Sequence, residues 1–513
     1  MSKIKYIILT FLILGLGGFL RIYNLNVLPI FADEAIYVRW SQVMAAEPTL
    51  RFLPLSDGKQ PLFMWILMFL ISRFSDPLWI GRALSALFGL GSILGVGFVS
   101  FLLFKNKKAA LLSSFLWALS PFSVFFERMA LVDATLSFWT IMTLMFAILM
   151  AKSFRIDTAI MTGIALGFAS LTKSPALFVA LLLPSVWMLS LFSQKLNLKT
   201  LLIKILGLTS IAYLFALAMY NLQRLGPNFH MLSSRTKDYV FPISHLWQNP
   251  LDPFLPHLDR IFSWVFKMGP AGLVLLVFMS FFVDSKKFIK QKLLLLIWFL
   301  VPILVQAMFA KVLTARYVLF TLPPLFILAG IWVINTKKIY TKIGVLFLIL
   351  FILQSIIFDY HLLTNPQAAG LPRSERSGYL EEWTAGTGIK EAAEIVKTVQ
   401  RLKPEKQIVV GTEGYFGTLP DGMQIYLQGI PNTIVIGTGL NFESVPQQLL
   451  DSARSGNLTY FAVNSSRMQN NFSEENLKLI EKFEKAQRPK NIFEYQKYGS
   501  RDIFYLFEVI PQE

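Results

Sequence analysis

Five segments of this sequence set ionisable side chains beside long apolar runs. They are Phe31-Ala-Asp33-Glu34-Ala-Ile-Tyr37, Asp57-Gly-Lys59-Gln60-Pro61-Leu and Glu127-Arg128-Met-Ala-Leu-Val-Asp133. Leu171-Thr-Lys173-Ser-Pro175 is the fourth, and Thr314-Ala-Arg316-Tyr317, followed by Pro323-Pro324, is the fifth. Carboxylates are groups that activate a hydroxyl, and lysines and arginines are groups that hold developing negative charge. Charges beside hydrocarbon are costly and usually face a cavity or a partner. Alternatively they are interfacial caps and snorkelling anchors, which suits an isolated Lys or Arg. Anchoring accounts less well for Asp33-Glu34, because acidic residues contribute little to membrane orientation. Asp133 is open to pairing with Arg128, to capping the helix that follows, or to catalysis.

The elements that must position these residues are those of a polytopic membrane protein. The chain has 513 residues, of which 54% are hydrophobic and 15% charged, and a formal net charge of +17. Its mean hydropathy is +0.55. A soluble chain would carry about 25% charge to wet its surface. Apolar runs recur from end to end, which excludes a soluble enzyme, a secreted scaffold and a disordered protein. Zero cysteines exclude disulfides, zinc–thiolate sites, iron–sulfur clusters and thiol catalysis.

A span needs about 20 mostly apolar residues. Eleven runs qualify: 4–22, 77–104, 109–126, 133–151, 158–172, 175–192, 201–220, 262–283, 293–309, 317–334 and 343–358. Arg21-Ile-Tyr reads as an interfacial stop to the first. Basic residues gather in alternate connections, at Lys105/Lys107/Lys108, Lys152/Arg155, Lys195/Lys199/Lys204, Lys286/Lys287/Lys290/Lys292 and Lys337/Lys338/Lys342. With Lys3 and Lys5 they mark a cytoplasmic face, opposed there by Asp157 and Asp284. The charge of +17 is therefore mostly orientation, and nucleic acid is not an expected partner. The N-terminus is placed in the cytoplasm, and the five ionisable segments and the tail outside it, in a plasma or inner cell membrane.

Three regions follow. A transmembrane domain covers 1–360, with a first outer loop (23–76) whose Pro61–Ser72 stretch reads as an interfacial helix. A linker covers 361–385, and an extracytoplasmic α/β domain covers 386–513. In that tail Ile389–Leu402 reads as an amphipathic helix, with further helices near 445–454 and 473–486. Gln407–Gly411, Thr433–Gly437, Leu458–Val463 and Asp502–Val509 read as strands. Gly411-Thr-Glu-Gly-Tyr-Phe-Gly lacks the spacing of a dinucleotide loop. Asn457-Leu-Thr, Asn464-Ser-Ser and Asn471-Phe-Ser are glycosylation triplets on the outer side.

The order, spacing and common side of the five segments resemble the C-type membrane glycosyltransferases, in their protein O-mannosyltransferase and aminoarabinose-transferase branch. The acidic pair in a long first outer loop carries this resemblance, with Lys59-Gln-Pro-Leu before the second span. So do Arg128-x4-Asp133, Leu171-Thr-Lys173-Ser-Pro175 and Arg316-Tyr317 with its two prolines. The resemblance covers about residues 15–330, and the tail resembles domains appended to prokaryotic members. It implies a fold of about 11 transmembrane helices with a C-terminal extracytoplasmic α/β domain. It further implies an inverting enzyme that moves a mannose-like hexose or an aminosugar from a polyprenyl-phosphate donor to an extracytoplasmic acceptor. Ser/Thr of a protein is the first choice of acceptor, and lipid A or a cell-envelope glycan the alternative.

In such a reaction the lipid phosphate leaves as a stable anion, so no acid need protonate it. An activated hydroxyl and well-placed cations suffice, without the opposed carboxylates of a glycosidase. The resemblance implies Asp33 as general base or as the residue orienting the acceptor hydroxyl. Glu34 either binds a metal or holds Asp33. Lys59, Arg128, Lys173 and Arg316 are candidates to hold the donor phosphate, Lys173 and Arg316 foremost. Asp133 is expected to fix Arg128 or Lys59, and Tyr317 to line the lipid groove. The aminoarabinose branch has Glu-Lys-Pro-Pro where this chain has Gly58-Lys59-Gln60-Pro61, so its metal-binding carboxylate is missing. No cofactor is assigned, and a divalent metal stays an open option. His230, His245 and His257 share the outer loop 221–261 and could bind a metal, but their long, irregular spacing favours ordinary loop residues. A transporter or lipid flippase is the rival from another class. It would set its ionisable residues near the membrane midplane, often in repeated halves, and no repeat is found.

Overall fold

The apolar runs fold as helices in the computed structural model, which describes residues 2–190, 197–283, 285–334 and 338–511. Of the charges assigned to the cytoplasmic face, Lys195, Asp284, Lys337 and the side chain of Lys286 lie outside the described residues. Two compact units form, and each is described by itself. The first holds Met1–Leu25, Thr49–Ile66 and Arg82–Pro372, and the second holds Asn26–Pro48, Leu67–Gly81 and Arg373–Glu513.

Six helices among the described residues are long and apolar enough to cross a membrane. They are Lys3–Ile22, Pro77–Phe104, Val132–Ser153, Leu198–Leu225, Lys287–Phe309 and Lys338–Thr364. Two bent pairs raise the number to eight: Phe254–Met268 with Ala271–Ser280 (97°), and Ala315–Thr321 with Pro323–Ile334 (54°). Ile156–Thr172 and Ala176–Leu189 are apolar but shorter. Apolar length alone therefore overstates the long helices, because backbone breaks interrupt several runs. The run 109–126 becomes Lys107–Leu119 and Pro121–Phe126, divided at Ser120, which stands extended before Pro121.

Between apolar helices the side chains gain little by leaving lipid, so close packing through small residues matters more. Gly163 and Gly167 lie one turn apart on the Ile156–Thr172 helix. A Cβ at Gly163 would meet the backbone of Ala212, and one at Gly167 would meet Met219. The Leu198–Tyr220 helix can approach there only because both positions lack a side chain. On the opposite, outward surfaces large apolar residues stay exposed, Ile4 and Phe11 among them.

In the second unit, strand β1 (Ile30–Phe31) pairs antiparallel with β2 (Ala385–Gly386). The other strands are β3 (Ile408–Thr412), β4 (Thr433–Gly437), β5 (Leu458–Asn464), β6 (Leu477–Glu484) and β7 (Ile503–Val509). They form one sheet in the order β4-β3-β5-β7-β6. The first three are parallel, and β7 and β6 add antiparallel. Leu449, Phe461, Val463 and Phe507 fill the core against one face of the sheet.

Several expectations need correction. The first outer loop does not go whole with the membrane helices, since 26–48 and 67–76 pack with the tail. The stretch 361–385, read as a linker, is structured. The Lys338–Thr364 helix continues into it, and Arg373 and Arg376 both pair with the buried Glu381, at 2.6 and 2.8 Å. The helix expected near 473–486 is strand β6. A β-bulge between Leu479 and Glu481 shifts the strand's phase, so Leu477, Ile480 and Phe483 turn inward at a spacing of three that imitates a helix. Finally, a helix at Thr418–Leu427 follows the glycine-rich segment, where Gly417 takes a φ of +112°. The Asn464 triplet is also not displayed for modification, because that side chain is 1% exposed and donates to Glu413.

Candidate functional site

Two helix ends meet in the first unit. Asp133 stands in the first turn of the Val132–Ser153 helix, and Lys173 caps the C-terminus of Ile156–Thr172. Each charge complements the dipole of its own helix. Because these consecutive helices run back antiparallel, the two charges join in a 2.6 Å ion pair. The Lys173 Nζ also stands 4.0 Å from the centroid of the Tyr317 ring. Tyr317 is placed by the short Ala315–Thr321 helix, beyond which Pro323 and Pro324 open the next helix in a new direction. The Arg316 guanidinium lies 5.4 Å from the same ring. Asp133, Lys173, Arg316 and Tyr317 therefore converge.

Lys59 joins this cluster through its neighbour. Gly58, at φ +66°, closes the turn Leu53–Asp57. Gln60 then donates from Nε2 to Ser174 Oγ at 2.7 Å, tying the residue after Lys59 to the residue after Lys173. The Lys59 ammonium lies 5.2 Å from the Tyr239 ring centroid, and the adjacent Asp57 pairs with Arg235 at 3.0 Å. The pairing expected of Asp133 with Arg128 or Lys59 is thus replaced by one with Lys173. Lys173 and Arg316 thus lie at one aromatic ring with Asp133 paired to Lys173, and Lys59 is linked to them through Gln60 and Ser174, a set of cations of the type that holds a phosphate.

Arg128 stands elsewhere. It is 1% exposed and donates to the carbonyls of Leu20, Tyr23 and Asn24, each at 2.8 Å. Its neighbour Glu127 pairs with Arg21 at 2.6 Å, both side chains fully buried. Arg21 also donates to the carbonyls of Gly17 and Ala118 and to Ser123 Oγ. The first helix does end at Ile22, as expected, but Arg21 is also the centre of a buried network, and only its position in an apolar run could have signalled this. Asp359, on the helix Lys338–Thr364, feels the charges of Arg21 and Arg128 and completes the group. Sequence reasoning gave Arg21 and Glu127 no part in a network and passed over Asp359, yet the three draw together separate helical segments.

Asp33 and Glu34 belong to the second unit, in the first turn of the Ala32–Ala46 helix. They do not share a duty. Glu34 is fully buried and its Oε2 accepts from the backbone N–H of Phe31 at 3.0 Å, closing the helix start. Asp33 is half-buried. Among the described residues no group of three or more His, Asp or Glu could hold a metal ion. His257 contacts the carbonyl of Ala307 through Nδ1 at 3.2 Å, and His245 stacks on Phe241.

Residues 55–224 match the family described as dolichyl-phosphate-mannose-protein mannosyltransferase. This stretch carries Lys59, Arg128, Asp133 and Lys173. No curated protein matches the sequence. Among solved structures, ArnT from Cupriavidus metallidurans in the apo state aligns with a TM-score of 0.58 and 14% identity. The alignment covers 99% of this chain and 98% of that one. ArnT bound to undecaprenyl phosphate aligns with a TM-score of 0.53 and 14% identity, over 98% of both chains. The mannosyltransferase match at residues 55–224 thus lies inside a fold that the chain shares with ArnT along its length.

Proposed function

We propose that this protein is a membrane glycosyltransferase that moves a sugar from a polyprenyl-phosphate donor to an acceptor hydroxyl outside the cytoplasm. The observation that carries the reading is the convergence of Lys173, Asp133, Arg316 and Tyr317, with Lys59 tied in through Gln60 and Ser174. ArnT of the same fold binds undecaprenyl phosphate, a ligand of the chemistry these cations suit. Lys173, Lys59 and Arg316 hold the donor phosphate, and Tyr317 borders the lipid. Asp133 keeps the Lys173 ammonium aimed. Arg128 takes a different part from that of a donor ligand: its guanidinium fixes the chain that leaves the first span.

The reaction is a single displacement. The acceptor oxygen attacks the anomeric carbon, the bond from that carbon to the phosphate oxygen breaks, and the polyprenyl phosphate departs as an anion stabilised by the cations. The acceptor proton passes to Asp33. One displacement inverts the anomeric centre. Eleven membrane crossings, a cytoplasmic N-terminus and an extracytoplasmic tail agree with the distribution of lysine and arginine. Protein Ser/Thr is the first acceptor to assay, with lipid A or an envelope glycan as the alternative.

The test follows labelled sugar from polyprenyl phosphate in membranes carrying Asp33→Asn. Loss of transfer with intact donor binding is expected, whereas full activity in a folded variant removes Asp33 from the chemistry. Import of substrate into vesicles without any glycosylated product would instead mark a transporter.

A further inference from the structure

We infer that the tail positions the proposed base: Thr384, Gly386 and Gln424 hold the turn and helix that carry Asp33. This rests on the assignment of Asp33 above, but the contacts behind it lie wholly within the second unit. β1 ends one residue before the Ala32–Ala46 helix and is paired with the tail, Ile30 opposite Gly386 and Phe31 opposite Ala385. The N–H of Ala32 donates to the Thr384 carbonyl at 3.0 Å. On the other side of Asp33, the Glu34 carboxylate is bound to Phe31. Asp33 thus stands between two residues whose places are fixed, one of them by the tail. The Phe31 ring packs 4.4 Å from that of Tyr379.

Further along the helix the grip continues. Arg39 donates from Nε to Gln424 Oε1 and from Nη1 to Gln428 Oε1, both at 2.8 Å, and Gln42 donates to the Ile425 carbonyl at 2.9 Å. Trp40 stacks on Phe416 at 5.9 Å. Ala35 and Val38 are fully buried on this face. Planar and forked groups gathered on Arg39, Trp40 and Gln42 fix the rotation of the helix as well as its place, and rotation decides where a first-turn carboxylate points. Gly386 is the tightest point of the clasp. A Cβ there would stand 2.5 Å from Ile30 Cγ2 and 2.9 Å from the Ile30 carbonyl oxygen, so even alanine must push β1 away. The tail is therefore a working part of the catalytic segment, which a role in acceptor capture alone would not require.

The native chain contains no cysteine, so a nitroxide on Asp33→Cys reports one position. Gly386→Ala in the full-length protein is expected to free that label and, in the unlabelled enzyme, to lower kcat at least tenfold with KM for the donor unchanged. Gln424→Leu should do the same to a smaller extent. Gln424→Glu keeps an acceptor oxygen for Arg39 and should restore kcat to within about twofold of the parent. A label equally ordered in folded Gly386→Ala overturns the inference, even if kcat falls. So does an unchanged kcat in both Gly386→Ala and Gln424→Leu. Full activity of Asp33→Asn would remove the base assignment instead, while the label still reports whether the tail orders this turn.

Discussion

Arg21–Glu127 and Lys173–Asp133 are both ion pairs at 2.6 Å in the helical unit, and both take their carboxylate from the segment 127–133. In the first, neither side chain is exposed at all, whereas Lys173 keeps 19% of its side chain exposed beside a 4% exposed Asp133. The first pair is closed in by carbonyls of Gly17 and Ala118 and by Ser123. The second is bordered by an aromatic ring and another cation. A charge whose hydrogen bonds are all supplied by the protein has none left for a ligand. A cation with one carboxylate partner and an open flank still does. One short motif thus feeds a structural network and a binding cluster.

The sharpest way to break this comparison is to remove one member of each pair and read stability against donor binding. Glu127→Ala leaves Arg21 as an uncompensated buried charge and should cost about 3–5 kcal/mol. It should be seen as a fall in Tm in detergent, while the surviving folded protein binds donor normally. Gly89 offers a second approach, because a Cβ there would stand 2.6 Å from Glu127 Oε2. Loss of donor affinity in Glu127→Ala without loss of Tm would reverse the two roles.

Lys173→Met is the counterpart. A charge-assisted contact to phosphate contributes about 1.5–3 kcal/mol, so donor affinity should weaken by roughly 10- to 150-fold. The Tm should fall less than in Glu127→Ala, since Lys173 keeps 19% of its side chain exposed whereas the Arg21–Glu127 pair is wholly enclosed. Titration with polyprenyl phosphate measures the first and thermal unfolding the second. Equal affinity in parent and variant would take Lys173 out of the phosphate cluster.

How much of this was legible beforehand depended on whether the governing interaction was local. The amphipathic Ile389–Leu402 helix and the strands β3, β4, β5 and β7 are written in local periodicity, and they form within a residue or two of expectation, whereas the apolar runs marked where helices lie but not where they break or end. Lys173 could be singled out from its Leu-Thr-Lys-Ser-Pro setting. Its partner could not, because the pairing with Asp133 arises only when two helices run back against each other. Arg128 stood with Lys173 among the phosphate candidates in sequence, though behind it. Only the approach of the chain at Leu20–Asn24 tells them apart, by offering three carbonyls. Strand β6 was misread because a bulge gives it a helical spacing. Nothing local marked β1, two residues long, as an extension of the tail.

Arg128→Lys refines the contrast further. Lysine has one nitrogen where arginine spreads its donors over a rigid fork, so it cannot serve the carbonyls of Leu20, Tyr23 and Asn24 together. A stability loss of about 2 kcal/mol is expected from the unmet buried acceptors, with KM for the donor unchanged. An increase in donor KM at unchanged Tm would return Arg128 to the phosphate site.

The tail carries the same contrast into water, where titration reads it. Asp502 is buried, which alone would raise its pKa. The charge and 2.8 Å hydrogen bond of Lys485, with donors from Ser465 and Ser466 at 2.9 Å, outweigh burial and hold it below the usual 3.8. Asp421 is buried with less help. The Gly417 N–H at 2.7 Å and the charge of Arg39 offset only part of the burial, which pushes its carboxyl up to about 6. Their linkage to stability has opposite sign. The stabilisation by Asp502 is present above 3.8 and is lost as pH falls through its depressed value. That of Asp421 is full below 3.8, where it is protonated folded and unfolded alike, and is lost as pH rises through about 6. Asp421→Asn should therefore gain on the parent by on the order of 3 kcal/mol at neutral pH and match it in acid. Asp502→Asn should lose at neutral pH and close the gap in acid. Unfolding of the full chain at several pH values compares the two directly. Differences of one sign at both positions would mean that burial alone, rather than the partners supplied, decides what an enclosed carboxylate does here.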